Sequence, residues 1–205
     1  APVQPGTPAD TCPPGINPLY WNDSYTSTTT IVWEWSASSG SYSGIAGYYV
    51  CVSTIPAGAD ILNDYYVQCT SFVYYTAQHG YTYYMKVKSR SNTGAYSAYS
   101  ANSNGVMVDI TQPQVIGITD LGRFINETQK TGFTFNLLFT DTESGITGYK
   151  YCIGKSTNTG EFVAQWVTKP STSTAVIETE NLTNNLQTTG DTVYVTAYCR
   201  NGVGI

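Results

Sequence analysis

Two tandem antiparallel β-sandwiches of the seven-stranded type, the second lacking its last strand, are the all-β fold class that the sequence predicts. Three observations predict it. Apolar and aromatic residues alternate on a period of two between regular turn signals. One motif occurs twice, at the spacing of a single domain. A closing strand follows the first copy of the domain but not the second. The 205 residues leave room for one large domain or two of about 100 residues, and the repeat decides for two.

Taken in order, residues 1–15 form a Pro-rich arm. Pro2, Pro5, Pro8, Pro13 and Pro14 remove backbone donors, so the arm cannot continue a helix or a central strand. The first sandwich is assigned to residues 16–110. Within it Ile31, Trp33 and Trp35 share one strand face. Tyr49, Cys51 and Ser53 lie opposite Tyr48, Val50 and Val52, and Tyr83, Met85 and Val87 are in phase. Ser38-Ser39-Gly40, Pro56-Ala57-Gly58, His79-Gly80 and Asn92-Thr93-Gly94 supply the turns between them. Val106-Met107-Val108 reads as the seventh strand.

The second sandwich is assigned to residues 111–205. Ser43-Gly44-Ile45-Ala46-Gly47-Tyr48-Tyr49-Val50-Cys51 recurs as Ser144-Gly145-Ile146-Thr147-Gly148-Tyr149-Lys150-Tyr151-Cys152, identical at six of nine positions with an offset of 101. Pro113 marks the junction. After the sixth-strand segment only Gly202-Val203-Gly204-Ile205 remains, so the seventh strand has no counterpart here. A sandwich short of that strand exposes an apolar groove and unpaired backbone groups. Three completions stay open: a longer polypeptide or tandem array, a strand donated by a neighbouring copy, or a sandwich stable with six strands.

These motifs resemble the fibronectin type III and related immunoglobulin-like superfamily of extracellular structural and adhesive proteins. The Trp33/Trp35 segment looks like the second strand of that family, the repeated motif like the turn into its third, and the Tyr84–Ser89 and Tyr194–Ala197 segments like its sixth. The resemblance covers residues 16–205 and implies a fold, not one function, since this sandwich serves adhesion, filament, linker and receptor roles alike. It also places Cys152 and Cys199 on neighbouring strands, which implies a cross-strand disulfide contributing roughly 3–4 kcal/mol. Cys51 is then expected to pair with Cys69. Cys12 is left over, for an intermolecular bond or a different pairing.

Charge and composition exclude several classes. Net charge is −5 and the nine Lys and Arg are unclustered, which argues against nucleic acid and anionic lipid. No apolar run reaches the ~18 residues that span a bilayer, so membrane insertion is not expected. Sequons at Asn22, Asn126 and Asn181, with five cysteines, favour an extracellular or cell-surface location. His79, the single histidine, falls in a turn with no nucleophile elbow near it, so no catalytic residue, and no enzyme, is expected. No cofactor and no metal are expected either. The cysteines are too far apart for zinc, and Asp109, Asp120, Asp141 and Glu143 do not form a dense calcium loop.

The function these readings converge on is an extracellular structural subunit of a filament or surface assembly, whose partners are copies of itself. Subunits would join head-to-tail through strand donation by the arm or through chain continuation, with Val3, Ile16, Leu19, Val203 and Ile205 as contacts. The alternative is an adhesive or glycan-binding ectodomain using outward-facing Tyr and Trp, of which 18 Tyr are available. A spacer attached to a catalytic domain elsewhere is the third reading.

Overall fold

The computed structural model describes residues 5, 9–11, 24–39, 42–120, 126, 130–156, 162–183, 190 and 192–205. The chain divides into two compact units, Ala1–Ile110 and Thr111–Ile205, each built from two facing sheets.

Unit 1 begins with β1 (Ala9–Thr11), β2 (Tyr25–Thr26), β3 (Ile31–Glu34) and β4 (Ile45–Ser53). It continues through β5 (Leu62–Val67), β6 (Ser71–Tyr74), β7 (Thr82–Ser91) and β8 (Val106–Val108). One sheet has the order β1-β3-β6 and the other β2-β8-β7-β4-β5. All pairings are antiparallel except β2 with β8. The alternation read from sequence is the burial pattern itself, since β7 alternates buried and half-buried residues along its whole length. Its inward residues Tyr83, Met85 and Val87 meet Trp33, Val50 and Val106 in one apolar cluster. Trp33, Val50 and Val87 are fully buried, each stabilising the unit by about 1.5–3 kcal/mol or more through lost apolar surface.

The arm is not left unattached. Ala9, Asp10 and Thr11 pair with Glu34, Trp33 and Val32, so residues expected to be spare supply the first strand of unit 1. The reason is local. Between Pro8 and Pro13 the chain keeps several consecutive residues with backbone donors, enough for a short edge strand, where proline on either side is tolerated.

Unit 2 contains β9 (Gln114–Asp120), β10 (Phe133–Thr140), β11 (Ile146–Gly154), β12 (Phe162–Pro170), β13 (Ala175–Glu180) and β14 (Tyr194–Asn201). Its sheets have the orders β13-β10-β9 and β12-β11-β14. Phe135, Leu137, Phe139, Tyr151 and Ile153 form the core between them. Matching unit 1 strand by strand, β9, β10 and β13 take the places of β1, β3 and β6. Likewise β12, β11 and β14 take those of β5, β4 and β7. Among the described residues nothing takes the place of β8, and β14 is an edge strand.

Candidate functional site: the open strand position of unit 2

Unit 1 shows how this position is filled when residues are available. After β7 the chain turns through Asn92–Gly94, where Gly94 sits at φ 87°, a left-handed conformation that glycine adopts without strain. The segment 95–104 then runs back along the outer edge of β7. Ser97, Ser100 and Ser103 donate their backbone N–H to the carbonyls of Ser89, Val87 and Met85 at 3.0, 2.8 and 2.9 Å. In return the N–H groups of Ser89, Val87 and Met85 donate to the hydroxyl oxygens of the same three serines at 2.9, 3.1 and 3.0 Å. Three residues of the segment therefore span two of β7, a succession of bulges in which a serine side chain replaces the missing backbone acceptor. The segment ends in β8, whose Val106 and Val108 are fully buried.

Its outward side chains complete a second layer. Tyr96 and Tyr99 insert between the cations of β7: Lys86 lies 5.0 Å from the Tyr99 ring centre, Lys88 4.6 Å from Tyr99 and 5.3 Å from Tyr96. Arg90 lies 5.9 Å from Tyr96. Asp64 accepts from Lys88 Nζ at 2.8 Å and from the Tyr99 hydroxyl. Burial alone would raise the Asp64 carboxyl, but these two donors hold it below its usual range.

In unit 2 the same turn is present, and among the described residues no segment covers β14. Gly204, at φ 85°, donates to the Asn201 carbonyl at 3.1 Å, as Gly94 does to Ser91 at 2.9 Å. The Asn201 N–H donates to the Ile205 carbonyl at 3.2 Å, as Ser91 does to Ala95 at 2.8 Å. Ile205 therefore stands where Ala95 starts the return run. Cross-strand partners equate Met85, Val87 and Ser89, opposite Val52, Val50 and Tyr48, with Val195, Ala197 and Cys199, opposite Ile153, Tyr151 and Tyr149. The first three are at most 1% exposed, whereas all three of their counterparts are only half-buried. Val195 and Ala197 line a cleft of about 520 Å³ between β14 and β9, with Val193, Val115 and Ile118. Ile116 and Ile118 on β9 are 61% and 38% exposed.

Away from the cleft, unit 2 buries a polar cluster that the sequence did not announce. Glu178 on β13 is 6% exposed and accepts from the Tyr149 and Tyr151 hydroxyls and from Lys169. Tyr151 also donates to Glu180 at 2.6 Å. Burial pushes both phenols above their usual range, and the carboxylate acceptors add to it. Burial would raise Glu178 too, but Lys169 and the two tyrosines outweigh it and hold the carboxyl low. The only sequence signal was phase: Val176, Glu178 and Glu180 share one face of β13.

The expected cysteine pairings are not the ones the strands permit. Cys152 is opposite Thr196 and Cys199 opposite Tyr149, three positions apart in register. An odd separation puts the two side chains on opposite faces of the sheet, Cys199 toward the core and Cys152 outward beside Lys150, so no disulfide can close. Cys51 sits against β5, where its thiol faces Asn63 at 3.6 Å and Tyr99 at 3.3 Å and takes the Asp64 N–H at 3.4 Å. Cys69 lies beyond the end of β5 and bonds the Ser71 carbonyl. All four are free thiols, with Cys51 and Cys152 buried and Cys69 exposed.

Of the remaining expected sites, Val3, Cys12, Ile16, Leu19 and Asn22 lie outside the described residues. Asn126 and Asn181 are exposed, the latter accepting from the Thr183 N–H at 3.0 Å. Val203 is 5% exposed and fills its own unit, so it is not free to meet a neighbour. Ile205 is 40% exposed. His79 occupies the turn before β7, where its Nδ1 accepts from the Ile110 N–H at 3.4 Å beside the buried Asp109. Asp141 accepts from the Ser144 and Gly145 amides and from the Asn201 side chain, which ties the repeated turn to the end of β14.

The strand orders define a class: two tandem antiparallel β-sandwiches, with β14 at a sheet edge of the second among the described residues. No family model matches the chain, and no curated protein matches it. Among solved structures it is similar to chicken CNTN1 FN1-FN3 domains, at 14% identity and a TM-score of 0.39. That match covers 99% of this chain and 62% of the other, so the chain spans less than two thirds of its length. The topology above, rather than this likeness, assigns the fold.

Proposed function

We propose that the chain is a non-enzymatic structural module of an extracellular assembly, and that its second sandwich is completed by a strand added along β14. One observation supports this above the others: the inward positions of β14 are half-buried where their equivalents in β7 are fully covered. Half-exposure of Val193 and Val195 forgoes about 1 kcal/mol each. That loss is small against a core containing Phe135, Leu137, Phe139 and Ile153, so unit 2 folds open and gains on being covered. Of the two routes to a strand, donation by the arm is weakened, because Ala9–Thr11 is already paired with β3. The turn at Asn201–Gly204 has the geometry of the turn that launches the cover of unit 1, so the edge of β14 is presented as the covered edge of β7 is.

Hydrogen exchange tests the openness on which this reading depends. The amides of Val195, Ala197 and Cys199 are expected to exchange far faster than those of Met85, Val87 and Ser89. Equal protection of the two sets in the 205-residue chain would remove the reading. The glycan-binding alternative draws on Tyr65 and Tyr75, which are 53% and 68% exposed. A glycan array unaffected by Tyr65→Ala and Tyr75→Ala would leave it without support.

A further inference from the structure

We propose that Asn104 is a site of spontaneous covalent modification: it cyclises slowly onto Gly105, becomes aspartate or isoaspartate, and so loosens the closing strand β8 of unit 1. The asparagine–glycine pair occurs twice in the chain, at Asn104-Gly105 and Asn201-Gly202. Its chemistry needs no co-reactant but water. The glycine nitrogen gives up its proton and attacks the asparagine Cγ; a C–N bond forms, and the side-chain nitrogen leaves as ammonia. Water then opens the five-membered succinimide at either carbonyl. One opening leaves aspartate, and the other leaves isoaspartate, with the chain rerouted through the former side chain. Glycine permits the attack because no Cβ crowds the nitrogen.

The structure separates the two pairs. Asn201 is 1% exposed, and its amide is held at both ends. Nδ2 donates to the Thr111 carbonyl at 3.0 Å and to Asp141 at 3.1 Å, while Oδ1 accepts from the Ile205 N–H at 3.0 Å. The nitrogen that would attack it is engaged as well, since the Gly202 N–H donates to the Ser144 hydroxyl at 3.0 Å. Cyclisation there must first break these bonds. Asn104 is exposed, and among the described residues no acceptor meets the Gly105 N–H. The reacting atoms of this pair are therefore nearer to use in the folded chain.

The position of Asn104 gives the change a consequence. Just before it, Ser103 is fixed to Met85 by two bonds, its N–H donating at 2.9 Å and its hydroxyl accepting at 3.0 Å. Just after it, Val106 is fully buried and stands opposite Tyr83. Isoaspartate adds one carbon to the backbone, about 1.5 Å of chain, between these two anchors. Gly105 cannot absorb it. That residue is packed so closely on the Tyr84 ring that even an added Cβ would meet the ring at 2.5 Å. One anchor must yield: either Ser103 leaves Met85, or β8 shifts along β7. Both outcomes expose the Met85 amide.

The experiment ages the full 205-residue chain in mildly alkaline buffer and follows both pairs by peptide mapping, with fragmentation that separates aspartate from isoaspartate. Parallel samples hold the chain in concentrated urea and the Asn104→Gln variant in buffer. In the folded chain Asn104 is expected to convert at least roughly tenfold faster than Asn201, with the two rates converging in urea. Hydrogen exchange then compares the aged parent with aged Asn104→Gln. The Met85 amide is expected to exchange faster in the parent, in proportion to its isoaspartate content, while that of Ser89 stays the same. An unmodified Asn104, or an Asn201 that keeps pace with it in the folded chain, would overturn the site. A rate ratio unchanged by urea would overturn the protection assigned to the Asn201 contacts. Isoaspartate at this position with Met85 exchange unaltered would overturn the loosening of β8.

Discussion

Replacing Ser100 by alanine isolates the device that closes unit 1. Ser100 is 8% exposed, and its hydroxyl accepts from the N–H of Val87, a residue with no exposure at all. The change keeps the backbone bond from Ser100 to the Val87 carbonyl but leaves the Val87 N–H buried without an acceptor. Stranding a buried donor costs about 1–3 kcal/mol, more than the ~1 kcal/mol net value of an ordinary hydrogen bond. For a unit of this size that is a fall in melting temperature of roughly 4–20 °C. Denaturant unfolding followed by tryptophan fluorescence measures it through Trp33 and Trp35, both buried in unit 1, with Trp166→Phe as the background to remove the unit 2 signal. The midpoint is expected to fall with an unchanged denaturant slope. Ser100→Thr should restore most of the loss, and Ser97→Ala should cost less, since Ser97 is only half-buried. If Ser100→Ala shifts the midpoint no more than Ser39→Ala on an exposed loop, the hydroxyls do not close the edge of β7.

The polar cluster of unit 2 predicts that Glu178→Gln destabilises that unit by about 1–3 kcal/mol, read by calorimetry; the fully buried-pair value is not expected, because Lys169 is 43% exposed. Since the Glu178 carboxyl is held below its unfolded value of about 4.3, its contribution is complete above that pH and is lost as pH falls through the folded value. A stability curve for Glu178→Gln as steep in acid as that of the parent chain would refute the assignment. Asp60, held down to about 2 first by the Ser53 hydroxyl and then by Thr54, should titrate by NMR well below an ordinary aspartate, and Ser53→Ala should move its midpoint up. Its stabilising effect is likewise present above the unfolded value and lost in strong acid. In thiol labelling of the native chain with mapping by mass, Cys69 should react first and Cys51 and Cys152 last. Finding Cys152 linked to Cys199 would contradict the register of β11 and β14.

The fold was legible because its signals are local. Period-two alternation placed β3, β4 and β7, and the duplicated turn located β4 and β11 and so the two-unit plan. What sequence could not give was register. Cys152 and Cys199 were placed on the right neighbouring strands, but whether two side chains share a face depends on which residues stand opposite, and a slip of one reverses the answer. The Glu178 cluster was missed for a related reason. A glutamate in strand phase reads as solvated unless its partners, Tyr149, Tyr151 and Lys169 on two other strands, are known. The role of Ser97, Ser100 and Ser103 was hidden because a three-residue period belongs to neither a helix nor a flat strand.

That same geometry alters what the many tyrosines mean. An outward ring counts toward a sugar-binding surface only if its face is free. On unit 1 the faces of Tyr49, Tyr96 and Tyr99 meet Lys86, Lys88 and Arg90 at 4.6 to 5.9 Å, each contact contributing about 0.5–1 kcal/mol. On unit 2 the pattern returns with its parts exchanged between strands: Lys150 on β11 lies 5.1 Å from both Trp166 on β12 and Tyr198 on β14. With charged residues at 11% of the chain, most outer-sheet cations are therefore spent holding aromatic rings across strands. Such a face resists edge-to-edge pairing without needing a dense charge layer.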